Sequence, residues 1–153
     1  MSVKSEEAQP SVTQVRADLP EVAERRVGET GIVLLIDAAN VVGSRPTGWW
    51  RDRPGAARAF VERVRAAAEA DRFAETVVVV LEGAARSGIE EGIADGVRVL
   101  HAPRSGDDML IAVVTDATSQ VTLVSADRAL RQRAEALGAR VASPGWLIDL
   151  LDR

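Results

Sequence analysis

Apolar residues in this chain fall into short unbroken runs, and most of the runs stop at an acid. Ile32-Val33-Leu34-Leu35-Ile36 leads into Asp37, Val77-Val78-Val79-Val80-Leu81 into Glu82, and Val121-Thr122-Leu123-Val124 reaches Asp127 just beyond its end. Val97-Arg98-Val99-Leu100 departs a little from the rule, because the loop His101 to Gly106 intervenes before Asp107 and Asp108. Continuous β-branched runs of this length read as strands buried on both faces, the mark of a parallel sheet. They predict strands at about 31–37, 76–82, 96–101 and 120–125, with a short fifth at Arg140 to Ala142. Helical spacing fills the intervals. Pro54 opens a helix to about Asp71 with Ala57, Phe60, Val61, Val64 and Ala68 on one face. Asp107 opens another to about Thr118 around Leu110, Ile111, Val113 and Val114, and a third runs from Asp127 to Leu137 with Gly138 as its stop. Ser143-Pro144 starts a last helix ending near Leu151. Ala84 to Ile93, broken by Gly88 and Gly92, reads as a weak helix or an ordered loop. Strands alternating with helices predict an α/β fold, a five-stranded doubly wound sheet covered on both faces.

The pattern also bounds the domain. Residues 1–28 form an N-terminal extension: up to about residue 18 it is rich in Ser, Glu, Gln and Val without periodicity and reads as disordered, and Leu19 to Val27 reads as a short helix opened by Asp18 and Pro20. Residues 29–153 hold one domain of ordinary size. No apolar run approaches the roughly 18 residues that span a bilayer, and Met1 to Glu24 lacks the hydrophobic centre of a secretory signal. Without cysteine the chain has neither disulfides nor thiolate zinc sites. These features lead to the expectation of a cytoplasmic protein without a membrane partner. The net charge of −4 does not advertise a nucleic-acid binder. Lys4 is the only lysine, however, and arginine's planar fork suits phosphate, although a bias towards Arg and Ala explains much of the excess.

In a parallel sheet the carboxyl ends of the strands gather on one edge, where ligands bind in open α/β folds. Carboxylates brought together there repel one another unless a divalent cation neutralises them, so the pattern suggests a metal site, and a metal site suggests a hydrolase. Asp37 can ligate a metal or cap the segment after it. Asn40, one turn later, can orient a neighbouring carboxylate. Glu82 ends a fully apolar run and is either nearly buried, needing a partner, or exposed in the following loop. Asp107 and Asp108 can be ligands or the first acids of a helix. Asp127 has the same alternative, with Ser125 competing for the cap. Capping explains one or two of these acids more readily than all of them.

The pieces Leu34-Leu35-Ile36-Asp37-Ala38-Ala39-Asn40-Val41, Gly106-Asp107-Asp108-Met109-Leu110-Ile111 and Val124-Ser125-Ala126-Asp127-Arg128-Ala129-Leu130 resemble, in that order, the PIN-like nuclease superfamily, in particular the YacP-like group of its NYN branch. Gly138-Ala139 and the Trp146-Leu147 helix fit as well, and the similarity runs from about residue 31 to the C-terminus. The resemblance implies a three-layer α/β/α domain with strand order 3-2-1-4-5 and Mg2+- or Mn2+-dependent cleavage of RNA. It places the catalytic acids on Asp37, Glu82, Asp107 and Asp127. Asp37, Asp107, Asp108 and Asp127 become the metal ligands, with Asn40 and Ser125 in support. Asp108 either joins Asp107 or replaces it, and Glu82 matches by strand position more than by motif.

Substrate contacts must come from the rim of that edge. The loop from Gly43 to Arg53 combines Arg45, Arg51 and Arg53 with Trp49 and Trp50, residues that hold phosphates and stack on unpaired bases. The competing reading is that at least one tryptophan packs beneath the loop. Arg86, Arg104 and Arg128 sit beside the later acids and are further phosphate candidates, whereas Arg58, Arg63, Arg65, Arg131 and Arg133 read as a solvated helical face. The sole histidine, His101, sits at a strand end and reads as structural or incidental, the competing reading being a substrate contact. Single-stranded RNA is the expected partner, and a homodimer is compatible with the sequence. A haloacid-dehalogenase-type phosphatase is disfavoured by Ala39 where a second aspartate belongs, and a receiver domain by the lack of any lysine after Lys4. A dinucleotide site is disfavoured by Asp-Ala-Ala-Asn in place of a glycine-rich turn. The remaining alternative is an RNA-binding or scaffold protein of the same fold without turnover.

Overall fold

A computed structural model describes residues 31–153. The N-terminal extension and its expected helix at Leu19 to Val27 lie outside the described residues. The chain runs β1 (Ile32–Asp37), α1 (Ala38–Gly43), α2 (Arg53–Glu69), β2 (Thr76–Leu81), β3 (Gly92–Ala94), β4 (Val97–His101), α3 (Gly106–Asp116), β5 (Gln120–Val124), α4 (Arg128–Ala136), β6 (Arg140–Ala142) and α5 (Pro144–Leu151). Short 3-10 turns at Trp49–Arg51 and Gly83–Gly88 fill two of the connections.

The strands form one sheet in the order β3-β4-β2-β1-β5-β6. All pairs are parallel except β3 with β4. The five parallel strands therefore stand in the expected order, and the sixth is an addition. Gly92–Ala94 pairs antiparallel with Val97–Val99 in a stretch expected to be helical or looped. Its cause is local: Asp95 (φ 55°) and Gly96 (φ 78°) form a two-residue turn with positive φ at both positions, the geometry that Asp-Gly favours in hairpins.

Alternation along each strand divides the interior into two layers. Leu34, Ile36, Val77, Val79, Leu81, Val97 and Val99 face α1, α2 and α5, meeting Phe60, Val61, Val64 and Leu147. Val33, Leu35, Val78, Val80, Leu100 and Leu123 face α3 and α4, meeting Leu110, Val113 and Leu130. Buried faces on both sides explain why these strands read as unbroken apolar runs rather than alternating ones.

Helix starts follow side-chain capping. Asp52 accepts the Gly55 N–H at 3.0 Å to open α2, and Ser143 accepts that of Trp146 at 3.1 Å to open α5. At α3 the expected cap moves back two residues: Ser105 accepts the Asp108 N–H at 3.3 Å, so Asp107 and Asp108 stand in the first turn. The chain leaves β1 for β2 through helices on one face and returns from β4 to β5 through α3 on the other. The switch point thus lies between β1 and β5, and a crevice opens beyond their carboxyl ends.

Candidate active site

Asp37 closes β1 at the mouth of this crevice and is only 8% exposed. One carboxylate oxygen accepts the Asn40 N–H at 3.3 Å, capping α1, and the other accepts the Ser125 hydroxyl at 2.9 Å. Ser125, fully buried just past β5, also accepts the Asp127 N–H at 3.1 Å. An ionised Asp37 can only accept, so the Ser125 hydroxyl donates its proton to it. The Asn40 side-chain oxygen accepts the Ala126 N–H at 2.8 Å. The ends of β1 and β5 are therefore joined by polar bonds as well as by the sheet, and both residues read as supporting ones hold the junction.

Asp127 caps α4, accepting the Leu130 N–H at 3.1 Å. Glu82, half-buried just past β2, accepts the backbone N–H of Gly106 at the start of α3. A side chain at Gly106 would collide with that carboxylate, so glycine is needed for the approach. Asp107 is half-buried and Asp108 exposed.

These acids lie within electrostatic reach of one another. Burial pushes the Asp37 carboxyl up to about 6; the Ser125 and Asn40 hydrogen bonds oppose the rise, and the charges of Asp107 and Glu82 add to it. Asp107 is also raised, first by burial, then by Asp127 and Glu82, with Arg133 pulling the other way and Asp108 adding a little. Among the described residues no three acids or histidines stand close enough together to enclose an ion on their own. The donor set is all oxygen, which suits Mg2+ or Mn2+, and magnesium keeps several waters and takes only one or two direct carboxylates.

The rim divides into groups. Trp49 is half-buried and Trp50 is 51% exposed. Their rings meet edge to face at 5.9 Å, with Arg53 over the Trp49 ring at 5.3 Å and Arg51 over that of Trp50 at 5.8 Å. One tryptophan is thus partly packed and the other available. Trp49, Arg53 and Arg104 border a cavity of about 410 Å3 that reaches Glu82. Arg128 is exposed next to Asp127. Arg45 instead pairs with Asp152 at 3.0 Å, and Arg63 bonds the same carboxylate. Arg86 donates to the carbonyls of Gly83 (3.1 Å) and Ala102 (3.2 Å), bracing the loop after β2. The His101 ring bonds the Ile89 carbonyl at 2.8 Å, a structural role.

Arg133, read as part of a solvated helical face, is exposed there and also acts electrostatically on Asp107. Sequence reasoning missed the cavity, because the alanines that line it come from separate elements.

No family model matches the chain, and no curated protein matches it. Solved structures that share its fold include two of Rae1 (YacP) from Bacillus subtilis. The W164L mutant aligns with a TM-score of 0.58 at 17% identity, over 78% of this chain and 74% of that one. The other structure aligns with a TM-score of 0.55 at 17% identity, over 78% of this chain and 73% of that one. The PIN-like architecture expected from the motifs around Asp37, Asp107 and Asp127 is therefore present as a fold.

Proposed function

We propose that this protein is a metal-dependent ribonuclease that hydrolyses phosphodiester bonds of single-stranded RNA at the crevice between β1 and β5. The observation that carries the reading is the gathering of four acids on one sheet edge: Asp37 and Asp107 are raised by burial first and then by neighbouring charge, Asp107 and Glu82 acting on Asp37, and Asp127 and Glu82 acting on Asp107. A cation held at this switch point would offset that repulsion at neutral pH. Asp37, Asp107, Asp108 and Asp127 are the residues that would hold it, with Ser125 and Asn40 fixing the carboxylates. Bound Mg2+ or Mn2+ supplies a more acidic water and offsets charge on the phosphate. Glu82, oriented by the Gly106 N–H, presents a carboxylate to the reacting edge. Arg53, Arg104 and Arg128 stand where the ribose-phosphate chain would enter, and exposed Trp50 offers an aromatic face to an unpaired base. Arg45 and Arg86 support the surrounding loops through the bonds they already make.

The test is cleavage of a mixed-sequence single-stranded RNA with Mg2+ or Mn2+. Cleavage should stop in excess EDTA and fall by at least 100-fold in Asp37→Asn, a typical loss when a positioned charge is removed from a reacting centre. Activity that survives chelation or the substitution overturns the proposal. Tight RNA binding without cleavage under either metal would favour a scaffold of the same fold.

A further inference from the structure

The cavity beside Glu82 has a composition that the cleavage chemistry does not require. Its floor is built from Ala38, Val42, Ala57 and Ala85, contributed by α1, α2 and the turn after β2. Small side chains from three elements leave a space of about 410 Å3, within the roughly 300–1,000 Å3 of small-molecule sites. The polar residues of its border are Arg53, packed on Trp49, together with Arg104, Ser105 and Glu82.

An apolar interior rejects a phosphate, and guanidinium groups at the border are left without a counter-charge by a neutral apolar ligand. A flat, weakly polar ring joined to an anion satisfies both. We infer that this cavity is a base subsite, receiving one unpaired nucleobase of the substrate while Arg53 and Arg104 take its flanking phosphates. The inference rests on the nuclease reading for the identity of the polymer, but its binding chemistry stands apart from turnover. With the base seated, the adjoining phosphate lies on the Glu82 side, so the subsite sets which bond meets the acidic edge. A base locked in a duplex cannot enter, so the subsite makes strandedness a requirement at one nucleotide.

The test uses the full chain in EDTA, with alanine methyl groups followed by NMR during titration with adenosine and uridine 5′-monophosphates and with ribose 5-phosphate. The nucleotides should shift the Ala57 and Ala85 methyls, and ribose 5-phosphate at the same concentration should not. Ala39→Leu, on an exposed position of the cavity wall, and Ala85→Leu, on a half-buried one, should each weaken nucleotide binding on the order of 10-fold, the scale of one stacked base. Equal shifts from ribose 5-phosphate, no methyl response at all, or unchanged affinity in both folded variants would overturn the subsite. The two readings fail separately. Nucleotide binding in a protein that never cleaves RNA removes the nuclease and keeps the subsite, whereas cleavage without any methyl response does the reverse.

Discussion

Asp37 is placed where burial and like charge oppose its ionisation and two hydrogen bonds favour it, and burial wins. Its carboxyl titrates near 6 in the folded chain against an ordinary value of 3.8. Between those pH values the folded state binds more protons than the unfolded one, so stability falls as pH rises through the window. Above 6 the whole penalty is present; below 3.8 none of it is. Asp37→Asn removes the charge and keeps an oxygen for the Ser125 hydroxyl. In EDTA at pH 7.5 it should stabilise the protein by about 1–3 kcal/mol, from about 1.4 kcal/mol per pKa unit, and at pH 3.5 the gain should vanish. Urea titrations at the two pH values measure the difference; a destabilised variant at pH 7.5 would mean that the carboxylate's bonds outweigh its burial. Gly106 gives a second test at this scale. A methyl there meets the end of the flexible Glu82 side chain, not backbone, so the carboxylate can swing away. Gly106→Ala should therefore leave the melting temperature within a few degrees while lowering RNA cleavage at least 10-fold. Comparing thermal melts with initial rates separates the two effects.

At the level of elements, what the sequence discloses depends on how local the cause is. The four long parallel strands are legible because burial on both faces writes a continuous apolar run, and α5 because Ser143-Pro144 is a local start signal. The strand β3 is not legible from its own residues, Gly92-Ile93-Ala94, since it is held by pairing with β4; the Asp95-Gly96 turn was the local clue. At α3 the cap falls on Ser105, two residues before the expected Asp107, and the N–H of Gly106 goes to Glu82 at the end of β2, a bond that no local stretch of sequence discloses. The candidate site shows the same limit: its acids are visible one at a time, but the bond from Ser125 to Asp37 spans 88 residues and exists only once β1 and β5 are neighbours. Packing between elements also sets the next prediction. At Gly88 a side chain would strike the backbone carbonyl of Pro54 in the first turn of α2, and the Gly88 carbonyl accepts Arg58 Nε at 2.9 Å. Backbone cannot yield as Glu82 can. Gly88→Ala should cost about 1–3 kcal/mol, the usual penalty for overpacking, seen as a lowered denaturation midpoint with an unchanged slope.

For the whole molecule, a net charge of −4 and the proposed RNA substrate are reconciled by where the charges sit, not by their sum. The acids at the crevice are flanked by exposed Arg51, Arg53, Arg104 and Arg128, while Arg45 and Arg63 are drawn to Asp152 at the end of α5. Those two arginines hold the Asp152 carboxyl below the usual range, so its charge persists to low pH and keeps them engaged. Counting arginines in the loop therefore overstates the phosphate contacts it can offer. The distinction is measurable through ion release: each phosphate contact on a single strand contributes about 0.7 to the slope of log affinity against log salt. With a labelled single-stranded RNA in EDTA, followed by fluorescence anisotropy from low to moderate salt, Arg104→Gln should lower the slope by about 0.7. Arg45→Gln should leave it unchanged, since that guanidinium already has a carboxylate to neutralise. Equal losses of slope in the two variants would mean that RNA displaces Asp152 from Arg45, and that the entry path extends along the whole loop from Gly43 to Arg53. An unchanged slope in both would move the phosphate track away from the border shared by Arg53, Arg104 and the cavity.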